Sequence, residues 1–111
     1  KKEEELRGRT VRAGWLWKQG HQVRNWRKRW FVLRGSRMSY FSKPEDGREK
    51  GAVDILDYYL VPSEVPRPSV SMRLCNKRVA GTELDYLIHS ETVEEFVAWV
   101  KAIASVQRDF E

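Results

Sequence analysis

The sequence predicts a small mainly-β fold in which seven short strands are closed by one C-terminal helix. Three observations carry this expectation. A chain of 111 residues has room for one hydrophobic core and too little for two. Up to His89 the sequence breaks into short aromatic and β-branched runs separated by turn residues. Only 92–108 carries apolar residues at helical spacing.

The elements follow in order. Lys1 to Thr10 is a charged lead-in without strand periodicity, expected to be a flexible or helical flank. Gly14-Trp15-Leu16-Trp17-Lys18 has the composition of a strand, and Gln19 to Trp26, with Gly20 and polar residues, reads as a loop. Arg27 to Arg34 is a second strand. Gly35-Ser36 is a two-residue hairpin signal in which Gly supplies the positive φ of a type II′ turn. Arg37 to Lys43 is a third strand, followed by a polar loop over 44–50. Further β-prone runs are Gly51 to Ile55, Tyr58 to Val61, Val70 to Cys75 and Glu83 to His89, punctuated by Pro62, Pro66, Pro68 and Ala80-Gly81.

In the last segment Val93, Phe96, Val97, Val100, Ile103 and Ala104 recur as on one helix face, with Trp99 on that apolar side as a core residue. Thr92 and Glu95 form a capping-box pair, and Glu91, Glu94, Lys101 and Arg108 complement the helix dipole.

Composition excludes several classes. Hydrophobic content of 41% with 33% charged residues argues against wholesale disorder. No apolar run approaches the roughly 18 residues of a membrane span, and no signal-peptide pattern opens the chain. A start at Lys rather than Met points to a fragment of a larger, multidomain protein. A single cysteine, Cys75, cannot form an internal disulfide, which fits a reducing intracellular setting; it reads as a buried filler. No nucleophile elbow, P-loop or metal-ligand spacing is present, so neither catalysis nor a metal or cofactor is expected.

Charge is concentrated. Residues 11–50 hold eleven Lys/Arg against three Asp/Glu, whereas 51–111 hold six against ten. Such asymmetry marks an anionic partner. Strand parity sharpens it. Arg27 and Arg29 share a face with Phe31 and Leu33, and Lys18 shares one with Leu16. An antiparallel pairing of the two strands brings Lys18, Arg27 and Arg29 to one rim around the first loop, with Tyr40 of the third strand approaching it. Random surface charge need not fall on the face that also carries core residues. Arg forks and Lys point charges suit phosphate, while Arg24 and Lys28 add attraction to an anionic leaflet.

Gly14-Trp15-Leu16-Trp17-Lys18, the loop, Asn25-Trp26-Arg27-Lys28-Arg29-Trp30-Phe31-Val32-Leu33, the hairpin, Tyr40-Phe41 and a final helix bearing Trp99 together resemble a pleckstrin homology (PH) domain. The resemblance covers 13–108, leaving 1–12 and 109–111 as flanks. It implies a seven-stranded, strongly bent antiparallel sandwich or barrel capped by the helix. It also implies that Lys18 and Arg29 grip a 3-phosphate, Arg27 the inositol or a neighbouring phosphate, and Tyr40 a 4-phosphate. Gly20, His21, Arg24, Lys50, Lys77 and Arg78 fall at accessory positions. His21, bulkier than the small residues common in that loop, shifts the expected preference toward a 3,4-bisphosphate, and Glu83 near the seventh strand opposes phosphate.

The expected function is therefore a phosphoinositide-binding, membrane-targeting module reading PI(3,4,5)P3 and/or PI(3,4)P2. Its expected location is the cytoplasm, with recruitment to the inner face of the plasma membrane or an endomembrane. The alternative is a protein-interaction domain of the same fold with little lipid affinity. Nucleic acid is the least favoured partner, because the tryptophans among the basic residues lack any single-stranded-binding motif.

Overall fold

The hairpin at Gly35-Ser36 sets the register of the N-terminal half. Gly35 has φ 57° and no non-glycine residue described has positive φ, so only the first turn position is left-handed, the type II′ pattern. In the computed structural model, which describes residues 5, 8–20, 25–63, 70–78 and 85–110, this turn joins β2 (Trp26–Arg34) to β3 (Arg37–Phe41), closing on the pair Arg34 and Arg37.

The remaining elements are β1 (Thr10–Gln19), β4 (Gly51–Asp54), a 3₁₀ turn (Ile55–Asp57), β5 (Tyr58–Ser63), β6 (Val70–Asn76), β7 (Tyr86–Ser90) and α1 (Val93–Asp109). The seven strands form one antiparallel sheet in the order β4-β3-β2-β1-β7-β6-β5. The sheet curls into a half-barrel whose open interior α1 caps, the bent, helix-capped plan expected from sequence.

The core is built from the strand faces that parity identified. Leu16, Phe31, Leu33, Met38, Met72, Leu74 and Ile88 project inward and are buried. They meet Trp99, Ile103 and Val106 of α1. Each such side chain contributes about 1.5–3 kcal/mol on burial. Trp99 is fully buried, with the Arg12 guanidinium 5.5 Å from its ring centroid. Gln107 anchors the other end of α1, donating to the carbonyls of Ile55 and Tyr58 at 3.1 and 2.9 Å.

Several boundaries differ from those expected. β1 begins at Thr10, inside the stretch read as flank, because Thr10 pairs with Arg34 and the Gly35 N–H donates to the Arg9 carbonyl at 2.8 Å. A bulge between Thr10 and Arg12 breaks the side-chain alternation there, which hid the strand. β4 ends at Asp54, whose carboxylate accepts the Leu56 N–H at 3.0 Å and starts the 3₁₀ turn. β5 runs through Pro62, tolerable because β5 is an edge strand.

β7 begins only at Tyr86, since the Asp85 carboxylate turns aside to accept the Asn76 N–H at 2.8 Å; Glu83, the expected start, lies outside the described residues. Thr92 caps α1 by accepting the Glu95 N–H at 3.1 Å, while the Glu95 carboxylate reaches Arg12 at 2.9 Å and ties the helix to β1. Cys75 is half-buried rather than a core filler, because it lies on the opposite face of β6 from Leu74.

The outer face of β1, β2 and β7 is aromatic. Trp15 meets Trp30 edge-on at 5.4 Å between ring centroids, and His89 stacks on Trp17 at 5.7 Å with Trp26 edge-on at 4.6 Å. Lys28 covers Trp15 and pairs with Glu91 at 3.5 Å. The tryptophans among the basic residues thus pack against one another and against His89 across the sheet.

Candidate ligand-binding site

The β1–β2 ladder decides where the basic side chains stand. Lys18 pairs with Arg27 and Leu16 with Arg29, so all four share the core-facing side. Phe31 pairs with Tyr40, and Tyr40 in turn with Gly51. Across the other edge of β1, Lys18 pairs with Ile88, and Tyr86 lies two residues before Ile88 on the same face. Lys18, Arg27, Arg29 and Tyr40 therefore gather at one rim of the core-facing side, as parity required.

Sequence reasoning missed Tyr86, which completes the group. The Lys18 ammonium lies 5.1 Å from the centroid of the Tyr40 ring and 5.0 Å from that of Tyr86. Two cation–π contacts hold it between the rings, each worth about 0.5–1 kcal/mol or more where desolvated. Phe31 flanks Tyr40 at 5.4 Å and Tyr58 flanks Tyr86 at 6.0 Å, giving both rings an aromatic backing. The parity of Tyr86 with Ile88 was available in the sequence. What was not available is that β7 lies beside β1.

Gly51 was missed as well. A Cβ on Gly51 would stand 2.6 Å from Cζ of Tyr40, inside its ring edge, so the absence of a side chain there lets the phenol occupy its place.

The electrostatics follow from crowding. Burial, then the neighbouring Arg29 charge, lowers the Lys18 pKa below the ordinary lysine value of 10.5. Burial raises Tyr40 above 10.0, against smaller opposite pulls from Arg29 and from the neighbouring Tyr86 phenol. Tyr86 is pushed up to about 12 by burial first, then by Tyr40 and Tyr58. At neutral pH the cluster is thus two neutral phenols and a set of cations, suited to binding an anion. Four other cations stand in ion pairs: Arg9 with Asp109, Arg12 with Glu95, Lys28 with Glu91 and Arg37 with Glu49. No carboxylate among the described residues pairs with Lys18 or Arg29.

The accessory residues are placed as follows. The Gly20 N–H donates to the Asn25 carbonyl at 3.1 Å and closes the mouth of the first loop. His21 and Arg24, within that loop, lie outside the described residues. The Lys50 N–H donates to the Tyr40 carbonyl at 2.8 Å just before β4, and its exposed side chain lines a cavity with Ser42, Asp46, Arg48 and Glu49. Lys77 lies over the Tyr59 ring at 5.3 Å and lines a cavity of about 620 Å³ with Leu60, Gln107 and Phe110, on the side of β5 and the end of α1. The Arg78 N–H donates to the Asn76 side chain at 2.9 Å. No group of metal-binding side chains forms among the described residues, and no helix there is long and apolar enough to cross a membrane.

Comparison with known proteins places these features in context. The family model for the PH domain matches residues 10–108. A PH domain-containing protein of Dictyostelium discoideum is 30% identical over 92 residues, covering 83% of this chain and 20% of that protein. Human Rho GTPase-activating protein 24 is 27% identical over 117 residues, covering 90% of this chain and 14% of its own length. The chain thus spans a fifth or less of these two relatives. The crystal structure of the C-terminal PH domain of pleckstrin in complex with D-myo-Ins(1,2,3,5,6)P5 superposes with a TM-score of 0.76 at 24% identity, covering 90% of this chain and 97% of that one.

Proposed function

This chain belongs to the PH domain family, and from that premise we propose that it is a membrane-targeting module binding phosphoinositide headgroups through Lys18, Arg27, Arg29 and Tyr40. PH domains are binding modules that often take phosphoinositides. One observation carries the specific reading. Lys18 and Arg29 stand on the core-facing rim without a carboxylate partner among the described residues, while four other cations are ion-paired. An inositol phosphate supplies the missing anion. Each charge-assisted hydrogen bond to it contributes about 1.5–3 kcal/mol, and several together reach micromolar affinity, about 8 kcal/mol, after the costs of desolvation and ordering.

The ligand is a 3-phosphorylated inositol lipid, PI(3,4,5)P3 and/or PI(3,4)P2, with Lys18 and Arg29 on the 3-phosphate and Tyr40 donating to the 4-phosphate. Gly20 and Lys50 are accessory to the headgroup, as are His21, Arg24, Lys77 and Arg78. The module acts in the cytoplasm at the inner face of the plasma membrane or an endomembrane, within a longer multidomain protein. That the pleckstrin domain of the same fold was crystallised with an inositol pentakisphosphate supports this reading.

Vesicle sedimentation across the phosphoinositides tests it. Vesicles with 3-phosphorylated lipids should pellet the domain, and Lys18→Ala or Arg29→Ala should abolish pelleting. Equal pelleting by phosphatidylserine alone, indifferent to both substitutions, sinks the specific site.

A second reading, a protein-docking PH domain with little lipid affinity, draws on Val93 and Val97, exposed one turn apart on α1. A partner captured equally well by wild type and Arg29→Ala, with no vesicle binding, favours it.

A further inference from the structure

Ser42 is the first residue after β3, where the chain leaves the sheet for the loop that leads to β4. β2 and β3 pair Phe31 with Tyr40 and Trp30 with Phe41. Continued by one residue, that register sets Ser42 opposite Arg29, with the parity of Tyr40 and of buried Met38. Directly opposed residues hold their Cβ atoms about 4.5–5.5 Å apart. A hydroxyl there stands within reach of a guanidinium of the anion site.

The loop folds back beside Ser42. The Asp46 N–H donates to the Lys43 carbonyl at 3.1 Å, and the Lys50 N–H returns to the Tyr40 carbonyl at 2.8 Å. Ser42, Asp46, Arg48, Glu49 and Lys50 line a cavity of about 440 Å³ there. Glu49 is engaged by Arg37, whereas no carboxylate among the described residues pairs with Arg48 or Lys50. Arg29, Arg48 and Lys50 thus outnumber Asp46 around the serine. Negative charge added at Ser42 would be stabilised by charge-assisted hydrogen bonds.

The chain is acidic just beyond this hydroxyl. Glu45 and Asp46 stand three and four residues after Ser42, and no other serine has a carboxylate three residues on. Ser42 is partly exposed, and Lys43, Pro44 and Glu45 are exposed. Thr92 also precedes a glutamate by three residues, but its hydroxyl is bound to the Glu95 N–H at the start of α1. Only the loop serine offers a kinase both a hydroxyl outside regular structure and an acidic stretch after it.

We propose that Ser42 is a phosphorylation site and that its phosphate, folding onto Arg29 and Lys50, occupies the anion site in place of a headgroup. The modifying agent is an ATP-dependent serine kinase that selects acidic residues C-terminal to the serine. Ser42 Oγ attacks the γ-phosphorus of ATP, and the bond from that phosphorus to the β–γ bridging oxygen breaks. ADP leaves and the hydroxyl proton passes to the base of the kinase. The new group brings about −1.5 to −2 charge at pH 7 and three acceptor oxygens. Being tethered, it meets Arg29 at an effective concentration of about millimolar, against which a headgroup must compete. The competition rests on the phosphate-binding reading above; the modification and its pairing with Arg29 do not.

The experiment begins with ATP and an acid-directed serine kinase, the phosphate being located by mass spectrometry. Wild type should gain one phosphate, on Ser42; Ser42→Ala should gain none, and Glu45→Gln combined with Asp46→Asn should react more slowly. Phosphorus NMR then reads the contact without any ligand. Nearby cations favour the dianion, so the Ser42 phosphate should titrate below the ordinary phosphoserine value of about 6 and move back toward it in Arg29→Ala. Calorimetry should show inositol 1,3,4,5-tetrakisphosphate binding the phosphorylated domain about tenfold or more weakly than the unmodified one, the loss of one charge-assisted hydrogen bond.

A phosphate placed on another residue overturns the proposal. So does a Ser42 phosphate that titrates identically with and without Arg29, or headgroup affinity unchanged by phosphorylation; each leaves the phosphate-binding reading standing. If the unmodified domain binds no inositol phosphate, the headgroup reading and the competition fall together, while the phosphorus titration still decides the pairing of the Ser42 phosphate with Arg29.

Discussion

Lys18 and Arg27 face each other directly across the β1–β2 ladder, with Arg29 two residues farther along the same face. Like charges directly opposite in a sheet are destabilising. The fold tolerates them at a rim where no described carboxylate relieves Lys18 or Arg29. A multivalent anion removes that repulsion. Inositol 1,3,4,5-tetrakisphosphate at a hundredfold excess over its Kd should therefore raise stability by about 2.7 kcal/mol, a Tm increase of about 10 °C for a domain of this size. Differential scanning fluorimetry should show this shift in wild type and lose it in Arg29→Ala. A shift that survives Arg29→Ala would place the ligand elsewhere.

Gly51 carries a second prediction, because its Cα hydrogen points into space that the Tyr40 ring fills. Gly51→Ala should displace the phenol and cost about 1–3 kcal/mol in overpacking. Headgroup affinity should fall with it. The phenolic oxygen makes the closest approach, so adding Tyr40→Phe should recover part of the lost stability. Chemical denaturation of the two single variants and the double variant measures this; equal destabilisation with and without the hydroxyl would count against the contact.

Alkaline pH should weaken binding through Lys18. Burial and Arg29 lower its pKa from 10.5, whereas Tyr40 is raised above 10.0 and Tyr86 to about 12. Lys18 thus loses its charge before the Tyr86 phenol gains one. Affinity for an inositol phosphate should begin to fall at a lower pH than an ordinary lysine would give. Lys18→Arg, whose guanidinium does not titrate in this range, should bind with a flatter alkaline limb. An identical limb in both proteins rules Lys18 out as its source.

His89 links stability to acid. Burial between Trp17 and Trp26 lowers its pKa below 6.5, outweighing the opposite pulls of the Ser90 carbonyl, 3.3 Å from its Nδ1, and of Glu91. The unfolded chain binds the proton more readily than the fold does. The stability associated with neutral His89 is therefore fully present above pH 6.5 and is lost as pH falls through the lower, folded-state pKa. Urea unfolding between pH 7.5 and 5 should show this decline, and His89→Gln should flatten it. A parallel decline in the variant would assign the acid sensitivity to other groups.

Thr92 offers a local control away from the site. Its Oγ1 accepts the Glu95 N–H at the start of α1. Thr92→Ala should cost about 1 kcal/mol, lowering Tm by about 4 °C, with headgroup affinity unchanged.

The amino-acid sequence by itself determined the local decisions. Alternation in Leu16–Lys18 and Arg27–Leu33 put the cations on the core-facing side, because a strand's period of two leaves no other face for them. The periodic residues from Val93 to Ala104 made one helix, Thr92 started it, and Gly35-Ser36 turned the hairpin. These choices depend on neighbours a few residues apart, so composition and spacing reveal them. The start of β1 at Thr10 escaped because the backbone pairing of Thr10 with Arg34 and of Arg9 with Gly35 needs no side-chain pattern, and a bulge scrambled the little there was.

Tertiary structure decided the rest of the site. Nothing near Tyr86 says that β7 lies beside β1, 68 positions earlier in the chain at Lys18, yet that adjacency clamps the ammonium between two phenols. The basic rim between Lys18 and Arg29 could be read from parity alone. The aromatic clamp that holds it, and the empty Cβ position at Gly51 that admits Tyr40, exist only once the sheet has curled and brought distant strands into register.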